Sequence, residues 1–141
     1  MFAAFTEYAE LCPVNTELGA YNTCGNLAIK VVEGKVSKTW GQTFVKGIMC
    51  NWMVCMAVFL SSQAQDMTGK MVGIWFPISA FVCMGMEHSV ANMYMLPLGF
   101  ISGLHKAAQG GTFDVTVGDI FVKNMIPVSL GNLFAGAICV S

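Results

Sequence analysis

The sequence contains no arginine and few charged residues of any kind. Charged side chains make up 11 % of the 141 residues, less than half of the share of about 25 % that is typical of soluble domains. A nucleic-acid-binding surface needs clustered basic residues, so no nucleic-acid partner is predicted. Disorder is excluded because 55 % of the residues are hydrophobic. The composition predicts a polytopic membrane protein.

The sequence also lacks the motifs of common enzyme sites. It has no CxxC, GxGxxG or GxSxG, no nucleophile–base pair and no histidine at ligand spacing from a cysteine. We therefore predict no enzymatic activity, no metal and no cofactor. Four cysteines lie in apolar runs and are predicted to be small core residues: Cys50, Cys55, Cys83 and Cys139. Cys12 and Cys24 lie in the more polar N-terminal third, where they either pair or stay free.

Residues 1–40 form the most polar part of the chain. The spacing of apolar residues predicts a partial helix over residues 1–12, which Pro13 ends. This helix is too short to cross a bilayer, which takes about 20 residues. A polar loop with a short helix around 20–34 is predicted to follow.

Residues 41–141 form the predicted transmembrane region. Its first span, at about 44–65, includes the uncharged run 47–65. A polar loop is predicted over 105–124. The last span, 125–141, is uncharged but short, and we expect it to be incomplete.

The stretch 71–104 is unusual in its length. An unbroken helix of this length would measure about 50 Å, whereas the hydrocarbon core of a bilayer is about 30 Å thick. The stretch is too long for one span and too short for two with a turn. We interpret it as one crossing made of two half-helices, broken near Gly85–His88, with Pro77 and Pro97 bending or ending them. The backbone at such a break must be buried in protein or line a cavity.

The only Asp, Glu, Lys, Arg or His residues of this stretch are the adjacent Glu87 and His88. An ionised side chain at mid-bilayer costs roughly 2.5–3.5 kcal/mol on insertion scales. The functional interpretation is an ion or proton pathway through the break, in which His88 exchanges a proton because an imidazole titrates with a pKa near 6.5. Glu87 would be the scaffold and accept backbone N–H bonds. The alternative is a buried pair that only ties helices together.

Several groups around the break could bind or attract an anion. The second half-helix offers the partial positive charge of its N-terminal end. Asn51 and Asn92 are uncharged donors that could orient an anion without trapping it. Lys35, Lys38 and Lys46 precede the uncharged run 47–65 of the first span and either concentrate anions at its mouth or form ordinary solvated flanks.

Three segments carry a family resemblance: KVSKTWGQTFVKGIMCNWMVCMAVFL (35–60), WFPISAFVCMGMEHSVANMYMLPLGF (75–100) and NMIPVSLGNLFAGA (124–137). In this order they resemble the formate/nitrite transporter family over about residues 15–141, matching the second half of its pattern. The resemblance implies an all-α membrane protein, an aquaporin-like helical bundle half-repeat with one interrupted transmembrane helix. Members of the family carry two inverted repeats of three helices and assemble as pentamers.

The resemblance also implies roles for individual residues. His88 matches the central pore histidine of the interrupted helix, and Glu87 precedes it as in the family. Asn92 matches the asparagine that follows that histidine. Asn51 and Lys35 match residues that attract and position the anion, and Phe81 falls at an apolar constriction.

The function implied is channel-like or proton-coupled transport of small monovalent anions such as formate or nitrite. The expected partners are these anions, protons, the lipid bilayer of the plasma membrane and further copies in a homo-pentamer. Because the first repeat is missing from the sequence and the last helix is cut, the chain is expected to be truncated at both ends. The alternative function is a non-conducting membrane fragment or a structural partner of a full-length transporter.

Overall fold

The computed structural model describes residues 24–108 and 110–139, which form helices joined by short loops, with no strand among them. The predicted helix at 1–12 lies outside the described residues. The helices of the described part are, in chain order, α1 (Cys24–Val36), α2 (Trp40–Gln63), α3 (Met67–Cys83), α4 (Ser89–Ala108), α5 (Val117–Asp119), the π-helical turn π1 (Ile120–Met125), α6 (Ile126–Phe134) and the π-helical turn π2 (Ala135–Cys139).

Helix α2 begins earlier than the uncharged run of the sequence indicates. Thr39 and Gln42 form a capping box, in which the Thr39 hydroxyl accepts from the Gln42 amide at 3.4 Å and the Gln42 side chain accepts from the Thr39 amide at 3.3 Å. The helix therefore starts at Trp40 rather than at about residue 44. After its end, the Asp66 carboxylate caps α3 by accepting from the Gly69 amide at 2.8 Å.

The predicted polar loop over 105–124 is wrong at both of its ends. Helix α4 continues to Ala108, and helical structure resumes at Val117. The Thr116 hydroxyl accepts from the Asp119 amide at 3.2 Å, and the Asp119 carboxylate pairs with Lys123 at 2.6 Å. The charges that suggested a loop thus belong to a helix cap and to a pair one turn apart.

The interruption between α3 and α4 occupies Met84–His88. Pro77 and Pro97 lie inside the helices, so they do not end them, and the alternative that they bend the helices stays a prediction. The break is made instead by the positive φ of 60° at Gly85, a conformation that glycine adopts without steric cost.

The chain divides into two compact units: Met1–Lys38 with Val90–Asn124, and Thr39–Ser89 with Met125–Ser141. In the second unit, α2 packs against α3 and against α6. The α2–α6 contact is close because glycines meet there. A Cβ on Gly47 would lie 3.0 Å from the Val128 carbonyl oxygen, and one on Gly131 would clash with the Phe44 carbonyl oxygen.

In the first unit, α1 packs against α4. Gly99 of α4 has no room for a side chain because Ala28 and Val32 of α1 lie against it. Val32, which lies against Gly99, and Leu96, three residues before Gly99 in α4, are both fully buried. The neighbouring Gly103 lies under the Phe113 ring.

The prediction for the cysteines holds in part. Cys50 is buried, Cys55 is half-buried and Cys83 is exposed, and Cys55 and Cys83 are free thiols. Cys83 therefore departs from the expected core position, because it is the last residue of α3, at the edge of the break. Cys12 lies outside the described residues, and no side-chain position is described for Cys24 or Cys139.

Candidate functional site

The end of α3 is closed by backbone hydrogen bonds that turn the chain sharply. The Met86 amide donates to the Phe81 carbonyl at 3.1 Å, and the Gly85 amide donates to the Val82 carbonyl at 3.0 Å. This pair of bonds around a left-handed glycine is a Schellman motif. It ends α3 and directs Glu87 and His88 into the break.

The Lys46 side chain reaches this turn from α2. Its ammonium donates to the Gly85 carbonyl oxygen at 3.1 Å, across 39 residues of sequence. The sequence placed Lys46 at a mouth or a solvated flank, but the structure places its charge at the helix break. A cation there interacts favourably with the C-terminal end of the α3 dipole.

Asn132 of α6 holds the other side of the break. Its amide nitrogen donates to the Gly47 carbonyl at 2.9 Å and to the Glu87 carbonyl at 3.1 Å. Its side-chain oxygen accepts from the Ser89 amide at 3.2 Å and from the Ser89 hydroxyl at 3.1 Å. The buried amide therefore uses both of its donors and both of its acceptor positions.

Asn51 contributes to the same group of residues. Its side-chain nitrogen donates to the main-chain carbonyl of Asn132 at 2.6 Å. The structure thus brings the predicted Asn51 and the break together through Asn132. Sequence reasoning missed Asn132, although it lies in the segment NMIPVSLGNLFAGA and is a polar residue within an uncharged run.

His88 and Phe81 face one another. Their ring centroids lie 5.9 Å apart, with an angle of 30° between the ring planes. Both side chains are half-buried, whereas Glu87 is fully buried. The second unit therefore combines an imidazole, an apolar ring and a buried acid at one helix break.

Asn92 and Lys35 belong to the first unit. Asn92 is fully buried, and its side-chain nitrogen donates to the Asn124 side-chain oxygen at 2.7 Å. Asn124 lies in π1, a kind of turn that is frequent at functional sites. Lys35 lies in the last turn of α1 and is half-buried. Asn124 was not among the predicted site residues, and its pairing with Asn92 joins positions 32 residues apart.

No group of three or more His, Cys, Asp or Glu side chains that could hold a metal ion occurs within residues 24–108 and 110–139. The polar groups of the break are main-chain carbonyls, amide side chains, the Ser89 hydroxyl, the Lys46 ammonium, the His88 imidazole and the Glu87 carboxyl.

Two helical stretches of the described chain are long and apolar enough to cross a membrane, namely Trp40–Gln63 and Val117–Ile138. Many large apolar side chains are also exposed, Trp75 and Phe76 among them. Interrupted helices with polar groups at the break are typical of binding sites in transporters. Together these features indicate the class of helical membrane transporters and channels.

Comparison with known proteins is consistent with this class. The family model for formate/nitrite transporters matches residues 2–141. A probable formate transporter of Methanothermobacter thermautotrophicus is 47 % identical over 113 residues, which cover 79 % of this chain and 38 % of that protein. The formate channel FocA of Haemophilus influenzae is 37 % identical over 132 residues, covering 87 % of this chain and 46 % of that protein.

Solved structures give the same result. A pentameric formate channel with formate bound matches with a TM-score of 0.78 and 28 % identity, over 99 % of this chain and 56 % of that chain. An ion channel of the same family matches with a TM-score of 0.75. The chain belongs to the formate/nitrite transporter family, which confirms the resemblance and the all-α membrane fold. It spans less than half the length of the two relatives described above.

Proposed function

We propose that this chain supplies one wall of a pathway that carries small monovalent anions of the formate or nitrite type across a membrane. The observation that carries the proposal is the break at Met84–His88, where Asn132 binds the Glu87 carbonyl and the adjacent His88 is half-buried. Freed backbone at membrane depth is tolerated where it lines a cavity, and such breaks are typical of transport sites.

The groups next to His88 support a mechanism in which the anion crosses the membrane in its neutral, protonated form. The Phe81 ring beside His88 makes an apolar surface, across which a bare anion passes unfavourably because its hydration is lost. A proton delivered at or near His88 would convert formate into formic acid, which crosses without net charge. Glu87 would be the scaffold of the break, Asn51 and Lys35 would attract and position the anion, and Asn92 would help to orient it.

The rest of the pathway must come from other residues. Because the chain spans 38 % and 46 % of the length of two relatives, we propose that the complete pore also needs the half that these relatives contain. We further propose a homo-pentameric assembly in the plasma membrane, by analogy with the pentameric channel of similar fold. Protons and the bilayer are the remaining partners.

Uptake of labelled formate into proteoliposomes tests the proposal. The 141-residue chain and a version extended with the missing half are each measured with and without an imposed proton gradient. Saturable, proton-dependent uptake by either supports transport. Uptake by neither contradicts it, and uptake by the extended version alone identifies the 141-residue chain as a non-conducting part of a transporter.

Replacing His88 tests the proton step in whichever version conducts. His88→Asn is expected to flatten the dependence of uptake on external pH between about pH 5 and 8, the range in which an imidazole titrates. His105→Asn is the matched control, because His105 is exposed in the last turn of α4. An unchanged pH profile in His88→Asn would exclude the proposed role.

A further inference from the structure

Lys46 is the one charged residue of the 24-residue helix α2. A lysine in an apolar helix usually extends its ammonium toward the membrane interface. Here the ammonium instead lies 3.1 Å from the Gly85 carbonyl oxygen in the helix break. The charge is therefore directed to the same turn that leads to His88.

Among the described residues, no carboxylate pairs with this charge. Within the described part of the chain, the hydrogen bond to Gly85 is the contact that the Lys46 ammonium makes. A carbonyl oxygen lowers the cost of placing a cation there but leaves its full positive charge. An ammonium has three N–H donors, so two remain for an anion or for water.

The Lys46 charge is held in place because its partner Gly85 belongs to a fixed turn. Gly85 has a φ of 60° and is held by its own amide bond to the Val82 carbonyl. Two residues further on, Asn132 fixes the Glu87 carbonyl. Lys46 thus binds a turn whose backbone is fixed by hydrogen bonds on both sides.

We propose that Lys46 is an anion-selecting residue of the pathway, a fixed positive charge at the helix break that attracts monovalent anions and repels cations. The proposal rests on the proposed function in one respect, that ions reach the break. It adds a residue for selectivity and a place where an anion is first held before it meets His88.

Thiol chemistry at the break measures this charge without requiring transport. Cys83 is exposed at the end of α3 and is a native reporter. Met86→Cys supplies a second reporter inside the break. For each reporter, the rate constants for an anionic and a cationic methanethiosulfonate reagent of similar size are measured on the detergent-solubilised chain. The other cysteines are replaced by alanine: Cys12, Cys24, Cys50, Cys55, Cys139 and, for the second reporter, Cys83.

The ratio of the anionic to the cationic rate constant is the readout. Lys46→Gln removes the charge but keeps a hydrogen-bond donor, and it is expected to lower the ratio about tenfold, as for a unit charge within one Debye length. Lys46→Arg keeps the charge and is expected to retain the ratio. Lys70→Met is the control, because Lys70 lies 13 residues before Cys83 on α3, or about 20 Å away along the helix.

Three results would overturn the proposal. They are an unchanged ratio in Lys46→Gln, an equal loss in Lys70→Met, and no reaction with either reagent at either reporter. The formate uptake described above separates this proposal from the proposed function. Formate uptake together with an unchanged ratio would refute the proposed role of Lys46 and leave the proposed transport function standing. A ratio that depends on Lys46, without formate uptake in either version, would support the role of Lys46 and refute the proposed transport function.

Discussion

At the scale of the single residue, Asn132 is the side chain on which the helix break depends. It joins α2, the break and the start of α4 through Gly47, Glu87 and Ser89. Asn132→Ala would leave buried carbonyl and amide groups without these partners, at a cost of about 1–3 kcal/mol in the free energy of unfolding. Denaturant titration of the detergent-solubilised chain would measure this cost, and hydrogen exchange at the Ser89 amide would show whether the break is loosened.

Two variants control that measurement. Leu133→Ala changes the next residue of α6, whose side chain is 67 % exposed, so little change in stability is expected. Asn132→Asp keeps the acceptors for Ser89 but loses the donors to the two carbonyls, and it should be destabilising as well. If Asn132→Ala costs no more than Leu133→Ala, the stabilising role of Asn132 is refuted.

At the scale of the element, the Gly85 turn defines where α3 ends. Gly85→Ala has open space around the new Cβ, since no heavy atom lies within 4 Å. Its cost is therefore backbone strain alone, about 1–2 kcal/mol for a left-handed residue with a side chain. Gly41→Ala is matched, because it also has open space but an ordinary helical φ, and it should be neutral or stabilising by up to about 1 kcal/mol. Equal unfolding free energies for the two variants would contradict the argument.

The buried pair Asn92 and Asn124 links α4 to π1 within the first unit. The donor–acceptor distance of 2.7 Å predicts a coupling energy of about 0.5–3 kcal/mol between the two residues. A double-mutant cycle with Asn92→Leu, Asn124→Leu and the double variant measures it by denaturant unfolding. Additive effects of the two substitutions would show that the pair contributes no interaction energy of its own.

The elements also show how far sequence reasoning reaches. The break could be predicted because two ionisable residues and a glycine interrupt a long apolar stretch, and this signal is local. The start of α5 could not be predicted, because charged residues such as Asp119 and Lys123 are typical of loops. Only the structure shows that Asp119 belongs to the helix cap and pairs with Lys123. The role of Asn132 could not be predicted either, because its partners Gly47 and Glu87 lie 85 and 45 residues away.

At the scale of the whole molecule, the described residues leave many large apolar side chains exposed. Helix α3 has no buried residue, although its sequence is strongly apolar. Exposed apolar area of this extent marks contact with lipid or with other protein. The three tryptophans report on this surface, since Trp40 begins α2, Trp52 lies in the middle of it and Trp75 lies in α3.

Fluorescence quenching by brominated phospholipids would test the placement of α2 across a bilayer. Trp52 follows Trp40 by 12 residues, or about 18 Å along the helix, so the two should lie at different depths if α2 crosses. In single-tryptophan variants with phenylalanine at the other two positions, lipids brominated near the headgroup should quench Trp40 more, as for an interfacial anchor. Lipids brominated deep in the acyl chains should quench Trp52 more. Equal depths for both tryptophans would mean that α2 lies along the membrane surface, and the charge of Lys46 would then face water instead of a pore.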